Sequence, residues 1–153
     1  MSKKTMAPKS LSPPKRSKIP KIKNIHHVAV VVADMEQALS FWRDRLGLSV
    51  GELRDVPAQR TQVAFLPTGG GEIELVKPTT DDSGVARFLA RRGPGMHHVC
   101  LEVEDIEAML AHLKAQGVHL IDEVPRMSET GRRYAFVHPE STGGVLLELY
   151  EAG

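Results

Sequence analysis

The chain has 153 residues, 41% of them hydrophobic, with Lys+Arg 20 against Asp+Glu 19 and a single cysteine. That length suits one compact domain or two small fused modules. One cysteine excludes an intrachain disulfide framework and makes a reducing compartment the default, and no run approaches the roughly 18 apolar residues of a membrane span.

The formal charge of +1 averages two unlike parts. Residues 1–23 carry Lys3, Lys4, Lys9, Lys15, Arg16, Lys18, Lys21 and Lys23 and no acid, which leaves 12 cations against 19 acids, or −7, for the remainder. Pro8, Pro13, Pro14 and Pro20 interrupt any helix there, and large apolar side chains are nearly absent, so 1–23 is expected to be a disordered basic tail. It is Lys-rich and Pro-broken, unlike an Arg-rich amphipathic transit peptide, and it has no apolar secretion core. A solubilising extension and a cytoplasmic location follow, or the mitochondrial matrix if the tail is a transit peptide.

The rest of the chain repeats itself. HHVAVVVADMEQAL from His26 returns as HHVCLEVEDIEAML from His97 at an offset of 71. VAFLP from Val63 meets YAFVH from Tyr134 at the same offset, and IEL from Ile73 meets LEL from Leu147 at 74.

Each copy opens with a period-two strand. Val28, Val30 and Val32 oppose His27, Ala29 and Val31, and Val99, Leu101 and Val103 oppose His98, Cys100 and Glu102. Asp34 and Asp105 cap the following helices. The first carries Ala38, Leu39, Trp42 and Leu46 and stops at Gly47; the second carries Ile106, Met109, Leu110 and Leu113 and stops at Gly117. Strands are predicted at 48–54, 61–67 and 72–77, then at 118–124, 132–138 and 144–150. Between the copies, Asp82 or Ser83 caps a linker helix over about 82–92 bearing Val85, Phe88 and Leu89, and Gly93-Pro94-Gly95 hands the chain over. The fold class is therefore α+β, with two tandem βαβββ modules over about 24–80 and 95–151 of a single domain, 24–153.

Glu74 lies between Ile73 and Leu75, and Glu148 between Leu147 and Leu149, so each carboxylate points away from its apolar neighbours. A pseudo-twofold relation between the modules would bring His27, Glu74, His98 and Glu148 to one central cleft. Two imidazoles and two carboxylates suit Co²⁺, Mn²⁺, Ni²⁺ or Zn²⁺ with open positions, rather than a closed thiolate site. A lone strand His, or a Glu among leucines, is ordinarily a packing or solvent-face residue. The weight lies in finding the pair twice. Alternation puts His26 and His97 on the valine-bearing face. His112, His119 and His138 have no matched partner and read as surface or packing residues. Cys100 reads as packing, and Gly69-Gly70-Gly71 and Gly143-Gly144 as hairpin turns rather than phosphate cradles.

These residues resemble the vicinal oxygen chelate superfamily. DSGVARFLARRGPGMHHVCLEVEDIEA from Asp82 and HPESTGGVLLEL from His138 are similar to its methylmalonyl-CoA epimerases, over about residues 24–151. The resemblance implies an open barrel-like cleft around a divalent metal held by His27, Glu74, His98 and Glu148. It also implies inversion, through an enolate, of the carbon between the carboxylate and thioester of methylmalonyl-CoA, and a homodimer without nucleic-acid or membrane partners. Some members place a basic Glu on the third strand of the first module. The matching position here is Gln62, which takes no proton at neutral pH, so Glu148 is the expected acid–base residue, with a water or Glu72 as second carrier. Arg91, Arg92 and Lys77 are cations available to coenzyme A phosphates, and no spacing singles one out. A glyoxalase-type isomerase, similar to lactoylglutathione lyase, is the alternative enzyme. A metal-free module of the antibiotic-sequestering type is the alternative binder, although such modules typically lack the ligands.

Overall fold

The computed structural model describes residues 19–152. In chain order it contains β1 (Ile22–Val31), α1 (Met35–Leu39), β2 (Glu52–Val56), β3 (Thr61–Pro67), β4 (Glu72–Pro78), α2 (Gly84–Arg92), β5 (Gly95–Val103), α3 (Ile106–Ala115), β6 (Arg126–Met127), β7 (Arg133–Val137) and β8 (Leu147–Glu151). All eight strands join one sheet in the order β2-β3-β4-β1-β5-β8-β7-β6, which reads as one module followed by its twofold image. The modules meet where β1 and β5 pair antiparallel, with Val28 opposite Val99 at the centre of the register. Each first strand also pairs parallel with the last strand of its own module.

Most of the expected basic tail lies outside the described residues. β1 nevertheless starts at Ile22, inside the segment that composition assigns to the tail. Ile19 packs against the core of the second module, and the Lys21 carbonyl accepts the Glu104 N–H at 2.9 Å.

The helix caps follow the expected chemistry. Asp34 accepts the Gln37 N–H, Asp105 the Ala108 N–H and Ser83 the Ala86 N–H, each at 3.0 Å. The first helix does not stay α-helical to Gly47. It widens over Ser40–Arg45 into π-helical turns, with the Leu46 N–H bonded to Phe41 O at 2.8 Å. The wider turn swings Leu46, expected in the core, out to 55% exposure.

Two predicted edge strands are displaced for identifiable reasons. Leu48 and Val50 pack into the core from coil, because the Leu48 N–H bonds back to Trp42 O, and the ladder starts only at Glu52. In the second module, residues 118–124 form no strand, only a bridge from Leu120 to Val137. Asp122 Oδ2 takes the Phe136 N–H at 2.9 Å, a donor that a regular partner strand would otherwise use, and Pro125 has no donor to offer β7. The last strand starts at Leu147 rather than 144, after Gly143 and Gly144 turn the chain at positive φ.

Each module buries its helix against the outer sheet face. Met35 and Leu39 pack with Ala64, Leu66 and Leu75, and Ile106, Met109 and Leu110 pack with Ala135, Val137 and Leu149. The opposite face holds a smaller cluster of Ala29, Val56, Val63 and Val76 and forms the cleft.

Candidate metal centre

Sheet register explains how four separated side chains meet. Ala29 lies opposite His98 on one side and beside Glu74 on the other; Cys100 lies opposite His27 and beside Glu148. The two modules thus build matched rows, Glu74-Ala29-His98 and Glu148-Cys100-His27, each with a small, fully buried residue in the middle. The outer side chains lean across that gap. His27 Nε2 lies 3.0 Å from Glu74 Oε2, 3.2 Å from Glu148 Oε2 and 3.2 Å from His98 Nε2, and His98 Nε2 lies 2.8 Å from Glu148 Oε2.

His26 and His97 depart from the expected alternation. The β1–β5 register slips between Ile25 and His27, and again opposite His97, so each doublet begins on a β-bulge. The extra residue breaks the period of two, and both members of each doublet line the cleft. His26 Nδ1 lies 2.8 Å from His27 Nδ1, and His97 Nδ1 lies 2.8 Å from His98 Nδ1. Gly71 allows the first bulge, since a Cβ there would stand 2.7 Å from Ile25 O.

The cluster is short of positive charge. Burial opposes a proton on His27, but hydrogen bonds with Cys100, Glu148 and Glu74 outweigh it and raise the group to about 12. Burial likewise opposes the Glu148 carboxylate, yet His27 and His98 hold it down at about 2. Burial and the neighbouring His98 push His97 down to about 4, and burial with His27 lowers His26. The Cys100 thiol is pushed up to about 12 by burial, in keeping with a packing role.

Two carboxylates that draw a proton onto His27 are a donor set suited to a cation. Ligand atoms about 2.1 Å from one ion, at right angles to each other, stand roughly 3 Å apart, which matches the spacing found. The residues therefore fit a divalent metal of the borderline class.

A cleft of about 780 Å³ opens over the cluster. Val63, Phe65, Val76 and Phe136 give it apolar walls, and Glu72 lies within it. Gln62 does not line it. Its strand neighbours Thr61 and Val63 do, so Gln62 stands on the other face, with the parity of Ala64 and Leu66. The cations lining the cleft are Arg54, Arg60, Arg87, Arg126 and Arg132 rather than Arg91, Arg92 or Lys77. His119 and His138 stack on each other at 4.3 Å, away from the cleft, and His112 lies on α3. The signal for His26 and His97 was the doublet itself, copied whole at the offset of 71.

Comparison with known proteins agrees with this geometry. The Glyoxalase/Bleomycin resistance protein/Dioxygenase superfamily model matches residues 26–136. Mitochondrial methylmalonyl-CoA epimerase of Mus musculus is 38% identical over 133 residues, 86% of this chain and 75% of that protein. The crystal structure of methylmalonyl-CoA epimerase from Mycobacterium tuberculosis superposes with a TM-score of 0.79 at 34% identity, covering 86% of this chain and 89% of the other. A methylmalonyl-CoA epimerase solved in complex with methylmalonyl-CoA and NH4+ gives a TM-score of 0.79 at 29% identity, covering 87% and 96%. The repeat, the palindromic sheet and these likenesses agree: the chain belongs to the glyoxalase/bleomycin resistance protein/dioxygenase superfamily and, within it, to the methylmalonyl-CoA epimerase family.

Proposed function

We propose that the chain interconverts the (R) and (S) epimers of methylmalonyl-CoA, with His27, Glu74, His98 and Glu148 holding a divalent cation. The carrying observation is that these side chains converge from matched positions of two modules at the floor of one cleft, with His27 3.0–3.2 Å from the other three and His98 2.8 Å from Glu148. The two-nitrogen, two-carboxylate set suits Co²⁺, Mn²⁺, Ni²⁺ or Zn²⁺. When bound, such an ion would supply Lewis acidity to the negative charge that develops on the substrate.

The remaining chemistry belongs to the chain. The C–H between thioester and carboxylate is acidified by its neighbours, and its removal leaves a planar enolate. Inversion requires proton carriers on both sides of that plane. Glu148 meets His27 and His98 through Oε2, which leaves Oε1 to take or return the proton. Glu72, in the other module, also lines the cleft and serves as the second carrier, directly or through a water. The apolar walls lower the local dielectric around the developing charge, which strengthens the fixed dipoles acting on it. Recognition of the polyanionic coenzyme rests on local cations, because the chain outside its basic tail is acidic. Arg54, Arg60, Arg87, Arg126 and Arg132 line the cleft, which supports assigning them that task.

Incubating the metal-loaded protein with one methylmalonyl-CoA epimer in deuterated water tests this reading. The expected result is the other epimer, carrying solvent deuterium at the inverted carbon. No exchange, together with turnover of a hemithioacetal, would replace it with the glyoxalase reading.

A further inference from the structure

The doublet histidines have matched surroundings that the proposed reaction does not use. Two ring nitrogens at 2.8 Å need one donor and one acceptor. If His27 Nδ1 were the acceptor, a neutral ring would carry its hydrogen on Nε2, the atom aimed at the carboxylates, and Nε2 would have no lone pair to offer. A ligating Nε2 requires the hydrogen on Nδ1, and Nδ1 then donates to His26. The same holds for His98 and His97.

Packing holds the accepting rings in place. The His26 ring lies 4.4 Å from the Tyr150 ring at an interplanar angle of 39°, and the His97 ring meets Phe88 of α2 edge-on at 5.0 Å. Each doublet starts at a bulge in the equivalent place of its strand, and the first bulge lies against the Gly71 backbone. A second histidine on the cleft side, buttressed by an aromatic ring, occurs in both modules.

We propose that His26 and His97 are positioning residues: each accepts the Nδ1–H of the adjacent ring and so turns the Nε2 lone pair of His27 or His98 toward the centre of the cluster. The inference rests on His27 and His98 being metal ligands. It extends the site outward to Tyr150 and Phe88, and it gives the linker helix a place in holding His97.

The test compares Co²⁺ affinity, by chelator competition, and the visible spectrum of the Co²⁺-loaded protein across wild type, His26→Leu, His97→Leu, His26→Asn and His97→Asn. Asn keeps an acceptor where Nδ1 stood; Leu removes it. Either Leu variant should bind Co²⁺ about 10–100-fold more weakly, the usual loss for an outer partner of a ligating His, with an altered spectrum, and the Asn variants should recover most of the affinity. Far-UV circular dichroism confirms folding, and if one position does not tolerate Leu, the other position and the two Asn variants make the same comparison. Leu variants that bind as wild type does, with an unchanged spectrum, would overturn the inference alone. Asn variants as weak as Leu would also overturn it, since ring packing would then be the cause. Wild type that binds no Co²⁺ would overturn the metal reading and the inference together.

Discussion

In the first module β2 pairs with β3 over five residue pairs, from Glu52 and Phe65 to Val56 and Thr61. In the second module the equivalent edge comes down to two pairs and a single bridge. The inner strands show no such drift. Ala29 sits between Glu74 and His98 as Cys100 sits between Glu148 and His27, and both first strands are bulged at the same member of the doublet. The shared plan is retained where it sets side chains around a common point and relaxed where it shapes the rim. That difference separates the strands that carry the candidate metal centre from those that form the edges of the sheet.

The largest effect is expected from His27→Ala and His98→Ala. Each should remove metal and α-proton exchange by more than the roughly 100-fold ceiling for outer partners, and by similar factors, as read from Co²⁺ retention and deuterium uptake. A large asymmetry would show that the structural twofold is not a functional one. Next come the small residues at the centre of each row. Ala29→Leu and Cys100→Leu should cost about 1–3 kcal/mol by overpacking and weaken metal binding by pushing the outer side chains apart, whereas Cys100→Ala should keep both; urea unfolding and Co²⁺ titration measure this.

Acid stability gives a smaller effect. In metal-free protein His97 is lowered to about 4 from 6.5, and Glu148 to about 2 from 4.5. A group with a lowered folded pKa stabilises above its unfolded value and loses that contribution as pH falls through the folded one. The melting temperature should therefore decline from about pH 6.5 downward, first through His97 and then through Glu148, and His97→Asn should flatten the upper part of the decline. The smallest effect is expected at Gln62, on the far face of β3. Gln62→Ala should leave kcat/KM within about twofold, since the half-buried side chain stands on the face of β3 away from the cleft; a larger loss would return it to the cleft.

The four clustered residues were legible in the sequence because two periodicities act together. A period of two assigns a face within each strand, and the offset of 71 pairs His27 with His98 without any knowledge of the sheet. Alternation alone puts His26 and His97 on the wrong face, because a bulge inserts one residue into the ladder and a period of two has no means of registering it. Leu46 was misplaced by the π-helical turns, which change the angle per residue that places a side chain. Leu48 and Val50 are half-buried against the core without a ladder, so their apolar character reads as strand in the sequence. The cations at the cleft depend on how β2, α2 and the β6–β7 loop curve toward each other, which no local pattern encodes. The hydrogen-bonding choice of Asp122 likewise shows only in three dimensions.

In the proposed function, two matched modules hold one cation over which the substrate α-proton is exchanged. The most direct measurement follows that exchange with a single methylmalonyl-CoA epimer in deuterated water, in protein stripped of metal and then titrated with Co²⁺. Exchange should disappear on stripping and return in proportion to bound ion, reaching its maximum at one ion per chain. Exchange that persists undiminished in the stripped protein would contradict the proposed function.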